Sequence, residues 1–164
     1  MKSGSHAEQT GRVMISYEKV LTDQKPDLVV VVGDVNSAMA VTIAATKLGI
    51  TVAHLEAGLR SFDRTMPEEI NRLVTGVLAD MLWTPSKDAN DNLLKEGISP
   101  DKINFVGNIM IDSLEMMRSK IESLDVFRTF GLNAGGYWIV TMHRPSNVDS
   151  PIVLKKIRET PLRQ

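Results

Sequence analysis

The sequence contains no cysteine, which removes disulfides, thiolate nucleophiles and thiolate metal sites together and fits a reducing compartment. Long apolar runs are missing as well. The longest, Leu28 to Val32, is far too short to cross a bilayer, and the N-terminus MKSGSH lacks the apolar core of a signal peptide. Neither sign of charge dominates: Lys+Arg 19 against Asp+Glu 20 gives a net charge of -1. There is no broad basic surface for nucleic acid, so any anionic ligand must be bound locally. No GxGxxG follows a strand and no GxxxxGK[ST] occurs, so dinucleotide and Walker-type phosphate binding lack their local motifs. His54-x-Glu56 echoes the H-x-E of zinc deaminases, but the cysteine pair that motif needs does not exist here. The histidines, His6, His54 and His143, lack the helical spacing of a zincin site. These absences describe a cytoplasmic protein with no metal or cofactor and no nucleic-acid or membrane partner.

What is present is enough apolar material, 43% of 164 residues, for a real core. Val13, Met14, Tyr17, Val20 and Leu21 recur at helical spacing and predict a first helix closed by Pro26. Leu28 to Val32 predicts a strand, and its unbroken apolar character predicts a parallel sheet covered on both faces. Gly33 to Ser37 leads into an alanine-rich helix ending at Gly49, and Ile50 to Ala53 predicts a second strand. Ile70, Leu73, Val74, Val77 and Leu78 form one stripe of a helix starting near Pro67. Leu82 to Thr84 and Ile103 to Val106 predict two more strands, with Ser86 as N-cap and Gly97 as stop of the helix between them. Met110, Ile111, Leu114 and Met117 mark the core stripe of a further helix, and Tyr137 to Thr141 predicts a fifth strand. Strands alternating with helices through short loops are the signature of a doubly wound parallel sheet.

Ligands of such sheets sit beyond the carboxyl ends of the strands. Asp34, His54, Glu56 and His143 all fall at or just past such ends. They point to one composite site. The stretch HLEAGLRSFDRTMPEEINR, His54 to Arg72, is its densest part. His54 and Glu56, two apart on an extended backbone, should face the same way. Glu68 and Arg72, four apart after Pro67, should lie one turn apart on one helical face, with Arg72 holding the Glu68 carboxylate. Taken alone, Asp34 could be a helix N-cap, Glu56 a carboxylate tethered by Arg60, and Glu68 and Arg72 an exposed surface pair.

HLEAGLRSFDRTMPEEINR, preceded by VVVVGDVNS and followed by VTMHRPSNVD, resembles the non-hydrolysing UDP-N-acetylglucosamine 2-epimerase family. GSHAEQTGRVM and VGNIMIDSL match the family's intervening segments, so the similarity runs from about Ser3 to about Arg158. The resemblance implies interconversion of UDP-N-acetylglucosamine and UDP-N-acetylmannosamine, in the service of cell-surface polysaccharide biosynthesis. It implies an α/β fold: a Rossmann-like parallel sheet with flanking helices, a partial N-terminal domain of a two-domain GT-B-like architecture. Residues 1–131 would be that partial domain and 132–164 the start of a truncated second one. A missing first strand would leave an apolar parallel edge at Leu28 to Val32, inviting homo-oligomers or pairing with a complementary chain, unless Tyr137 to Thr141 fills it.

The reaction implied by the family eliminates UDP with loss of the C2 proton, then adds UDP back with protonation of the opposite face. Such chemistry needs acid/base groups around C2 and assistance for the leaving diphosphate. By their match to the family's motifs, Asp34, Glu56 and Glu68 are the proton-transfer candidates, and His143 is the candidate partner of the diphosphate. Arg72, Arg60, His54 and Arg144 are the binding or supporting residues; Arg144 is followed by Pro-Ser-Asn where many relatives have Arg-Glu-Asn. The alternatives are a hydrolysing relative that releases UDP and N-acetylmannosamine, and an inactive fragment that binds UDP-sugars.

Overall fold

The computed structural model describes residues 4–142 and 145–159. The chain divides into two compact units, Met1–Met116 and Met117–Gln164.

In the first unit, α1 (His6–Gln24) is started by a capping box: the Ser5 hydroxyl accepts from the Glu8 amide while the Glu8 carboxylate accepts from the Ser5 amide. Two of the helix's first amides are thereby satisfied. Then follow β1 (Leu28–Val32), α2 (Asn36–Lys47), β2 (Thr51–Leu55), α3 (Pro67–Leu78), β3 (Met81–Thr84), α4 (Lys87–Lys95), a 3-10 turn at Pro100–Lys102, β4 (Ile103–Phe105) and α5 (Ile109–Glu122). All three strand pairings are parallel and the order is β1-β2-β3-β4. The alternation of strand and helix expected from the sequence is therefore what the chain forms. Leu21 of α1 and Ala38, Val41 and Ala44 of α2 pack with Val29 and Val31 of β1, Val52 of β2 and Leu82 of β3 in one core cluster.

Three expectations are corrected, and one helix buries a face that its apolar stripe does not mark. β1 is not covered on both faces: Val29 and Val31 are buried, while Leu28, Val30 and Val32 are exposed. Among the described residues it is the edge of the sheet, paired with β2 alone, so its outer backbone has no strand beside it there. On α3 the fully buried positions are Glu69, Asn71, Thr75 and Gly76, whereas Ile70 and Val77 of the apolar stripe are exposed. On α5, Met110, Ile111, Leu114 and Met117 are exposed rather than core; periodicity shows which face is apolar, not whether a second layer covers it. Tyr137 to Thr141 forms no strand, because an extended segment gains a ladder only beside another strand, and so it does not complete the sheet. Ser86 stands at the N-cap position of α4 as expected but makes no capping hydrogen bond.

The second unit continues α5 and adds α6 (Val126–Thr129), α7 (Pro145–Val148) and α8 (Pro151–Glu159), with Phe127 stacked on Tyr137. No helix among the described residues is long and apolar enough to cross a membrane.

Candidate active site

The carboxyl ends of β1 and β2 bring the candidate residues together. Gly33 extends the ladder past β1 by donating its amide to the Leu55 carbonyl at 3.0 Å, and its positive φ of 70° then turns the chain toward α2. Two side chains from the end of β2 converge on this glycine. His54, opposite Val31 in the register, donates from Nε2 to the Gly33 carbonyl at 2.9 Å. A Cβ at Gly33 would lie 3.5 Å from Glu56 Oε2, so that carboxylate stands over the turn. The two are site neighbours as expected, but not by strand alternation: Glu56 has left at a φ of 67° the extended region that alternation assumes. A non-glycine residue there is costly and persists only where its surroundings enforce it.

His54 is 1% exposed. Burial holds its imidazole below the ordinary value of 6.5; the Gly33 carbonyl pulls the other way, and the charges of Arg60 and Arg72 lower it further. Because a carbonyl can only accept, Nε2 carries the proton and Nδ1 is bare, with no hydrogen-bond partner among the described residues. The ring is neutral near pH 7 and orients the turn before Asp34.

Asp34 does not cap α2; Val35 holds that position without a side-chain bond. Asp34 instead forms a close ion pair with Arg72 Nη2, while Arg72 Nη1 donates to Glu69 Oε2 at 3.2 Å. The expected Glu68–Arg72 pair is thus replaced by an i,i+3 pair with Glu69 plus the contact to Asp34. Glu69 also accepts from the Ser61 amide and hydroxyl, both at 3.0 Å, and from the Phe62 amide at 3.2 Å. Burial alone would push Glu69 up, but these donors outweigh it and hold the carboxyl below its ordinary range. Glu68 lies beside this cluster and lines an open cleft of about 520 Å³ together with His6, Gln9, Arg12, Asp34, Asn36 and Asn71.

The amides behind the cleft are linked. Asn71 Nδ2 donates to the Asp34 carbonyl at 2.8 Å and to Asn36 Oδ1 at 3.1 Å, and Asn36 Nδ2 reaches His6 Nδ1 at 3.0 Å and Gln9 Oε1 at 3.2 Å. The starts of α1, α2 and α3 are thereby tied into one wall. Glu69, Asn36 and Asn71 were not singled out from the sequence. The usable signal was the second glutamate of PEE, three before Arg72, since residues three apart also share a helical face.

Arg60 does not tether Glu56 and does not face the cleft residues. Its side chain is 1% exposed, and Nε and Nη2 each donate to a Glu96 carboxylate oxygen at 2.7 Å, with Nη1 on the Leu59 carbonyl. This fork fastens the loop after β2 to the end of α4. His143 and Arg144 lie outside the described residues.

The parallel sheet, its flanking helices and the acidic residues gathered at its strand ends define a Rossmann-like α/β domain. The family model described as UDP-N-acetylglucosamine 2-epimerase matches residues 1–162. The chain belongs to that family. A UDP-N-acetylglucosamine 2-epimerase of Methanocaldococcus jannaschii is 48% identical over 160 residues, covering 96% of this chain and 44% of the relative. One from Methanococcus maripaludis is 46% identical over 158 residues, covering 94% of this chain and 43% of the relative. The crystal structure of the Methanocaldococcus jannaschii enzyme in complex with UDP-GlcNAc and UDP superposes with a TM-score of 0.83 at 46% identity, covering 96% of this chain and 44% of that one. The chain therefore spans less than half the length of these relatives.

Proposed function

We propose that this chain supplies the acid/base wall of an isomerase that interconverts UDP-N-acetylglucosamine and UDP-N-acetylmannosamine by epimerisation at C2, within cell-surface polysaccharide biosynthesis. The observation that carries this reading is the gathering of Asp34, with its Arg72 partner, and Glu68 on one cleft, with Glu56 one residue behind at Gly33. A C–H bond is broken on one face of C2 and remade on the other, which calls for proton-transfer groups at fixed positions rather than for a nucleophile. In the proposed sequence a carboxylate removes the C2 proton as the C1–O bond breaks, giving a glucal and UDP. UDP then adds back to C1 and a proton is returned to the opposite face of C2. Asp34, Glu56 and Glu68 divide the proton transfers, and Arg72 keeps Asp34 placed. His54 orients the turn that carries Asp34. His143 serves the diphosphate, and Arg144 is a binding or supporting residue. Arg60 has a structural task instead, consistent with its burial against Glu96.

The test is incubation of the chain with UDP-N-acetylglucosamine in deuterated water. Deuterium at C2 of both epimers, slowed strongly but still measurable in D34N, is the expected result. No incorporation, while the Methanocaldococcus jannaschii enzyme exchanges in the same buffer, refutes activity of this chain. Free N-acetylmannosamine in place of the UDP-linked epimer refutes the non-hydrolysing course. The outer edge of β1, unpaired among the described residues, further supports association through that edge, with a second copy or a complementary chain.

A further inference from the structure

Glu69 is the most deeply buried carboxylate of the cluster, with its side chain 3% exposed against 19% for Arg72 and 29% for Asp34. The three form a line running from the interior to the cleft. Three of the four hydrogen bonds to Glu69 come from Ser61 and Phe62 and do not involve Arg72. Its carboxylate is therefore fixed independently of the arginine, like a post. Arginine presents its donors in a rigid planar fork. With Nη1 on Glu69 and Nη2 on Asp34, the plane of that fork is set from the buried side and the contact to Asp34 follows. Without Glu69, nothing else described on the guanidinium except Asp34 would stop the long side chain from turning. The same post secures Phe62, whose φ of 58° is unfavourable for a side-chain-bearing residue.

We propose that Glu69 is the positioning residue for the acid/base function of Asp34, acting through Arg72. The inference rests on the role given to Asp34 above. A purely structural alternative, in which Glu69 only ties the Ser61–Phe62 turn to α3, predicts a loss of stability with no dependence on Asp34.

The experiment compares C2 deuterium exchange in wild type, E69Q, D34N and the double variant, alongside nitrogen-15 NMR of the Arg72 guanidinium. Glutamine preserves volume but turns an NH2 toward at least one of the donors that Glu69 satisfies. E69Q is expected to lower kcat about a hundredfold, the scale of a small misplacement of a reacting group, and to add nothing in the D34N background. The hindered rotation of the Arg72 guanidinium should be lost in E69Q. E69D, which keeps the charge but draws the carboxylate back from Arg72, should reproduce that loss and serves as the readout where E69Q does not fold. Equal losses of rate in both backgrounds, or an Arg72 signal unchanged by E69Q or E69D, overturn the proposal. Should the wild-type chain exchange no deuterium, the reading of Asp34 fails on its own, and the Arg72 signal alone decides whether Glu69 positions the guanidinium.

Discussion

The Arg60–Glu96 fork offers a sharp test, because the motif that contains Arg60 invites a ligand-binding role while the structure assigns it a structural one. Three donations from the Arg60 guanidinium are made inside the protein, and two of them go to Glu96. E96A removes both and leaves a guanidinium that is 1% exposed with only the Leu59 carbonyl. Hydrogen bonds to charged groups contribute about 1.5–3 kcal/mol each. The Glu96 side chain is 31% exposed, so water recovers part of the loss, and a total of about 3 kcal/mol is expected. For a chain of this size that is a fall in melting temperature of roughly 6–12 °C. E96Q, which keeps one acceptor, should lose about half as much. R60M combined with E96L should recover much of the loss, since no buried charge is then left unpaired. Melting followed by circular dichroism, with urea titrations to confirm that the slope is unchanged, measures all four proteins. The reasoning is refuted if E96A melts within about 1 °C of wild type, or if the double variant is no more stable than E96A.

Gly58 has a φ of +81°, and a Cβ added there would lie 2.4 Å from the Ala89 carbonyl oxygen; G58A should cost at least about 3 kcal/mol through strain and backbone displacement. A wild-type urea midpoint for G58A would count against the close approach of this loop to α4. Because His54 titrates below its ordinary 6.5 in the folded chain, the unfolded chain binds the extra proton first as the pH falls, so this contribution to stability is present above that value and lost below it. Replacing His54 by Gln should flatten the fall in melting temperature between about pH 7.5 and pH 5.5, and a slope equal to that of wild type would remove buried neutral His54 from the account. Association through the edge of β1 should appear in light scattering as a mass that rises with concentration and is reduced by V30K, since an edge lysine opposes strand pairing. A strictly monomeric wild type refutes it.

The order of strands and helices was legible because each element carries its own period and each stop its own residue. Gly49 and Gly97 end helices with φ values of 71° and 84°, as their positions suggest. The start of α1 carries such a signal too, the S-x-x-E of a capping box at Ser5 and Glu8, although it was not singled out from the sequence. Burial was much less legible. The apolar stripe of α5 and the valines of β1 were read as buried, yet Met110 is 66% and Val30 47% exposed. Hydrophobic period identifies a face that water disfavours, but the covering layer is a property of the whole fold. On α3 the buried face is polar. Asn71 and Glu69 are accepted in the interior because Asp34, Asn36, Ser61, Phe62 and Arg72 satisfy them, and such partners from distant parts of the chain have no local signature.

The two glutamates after Pro67 show the same limit at the scale of a single residue. Consecutive helical residues are turned by about 100°, so Glu68 and Glu69 cannot serve the same surface, yet each has a helical spacing that suits a pair with Arg72, four residues and three. Propensity and spacing leave that choice open. It is decided by Asp34, many residues upstream, which takes Nη2 of the guanidinium from outside, and by Ser61 and Phe62, which hold a carboxylate on the inner side. With Arg72 committed inward, Glu68 keeps no claim on it and lines the cleft. The glutamate read as held by arginine is the one left open to a ligand, and the glutamate passed over is the one that builds the wall behind it.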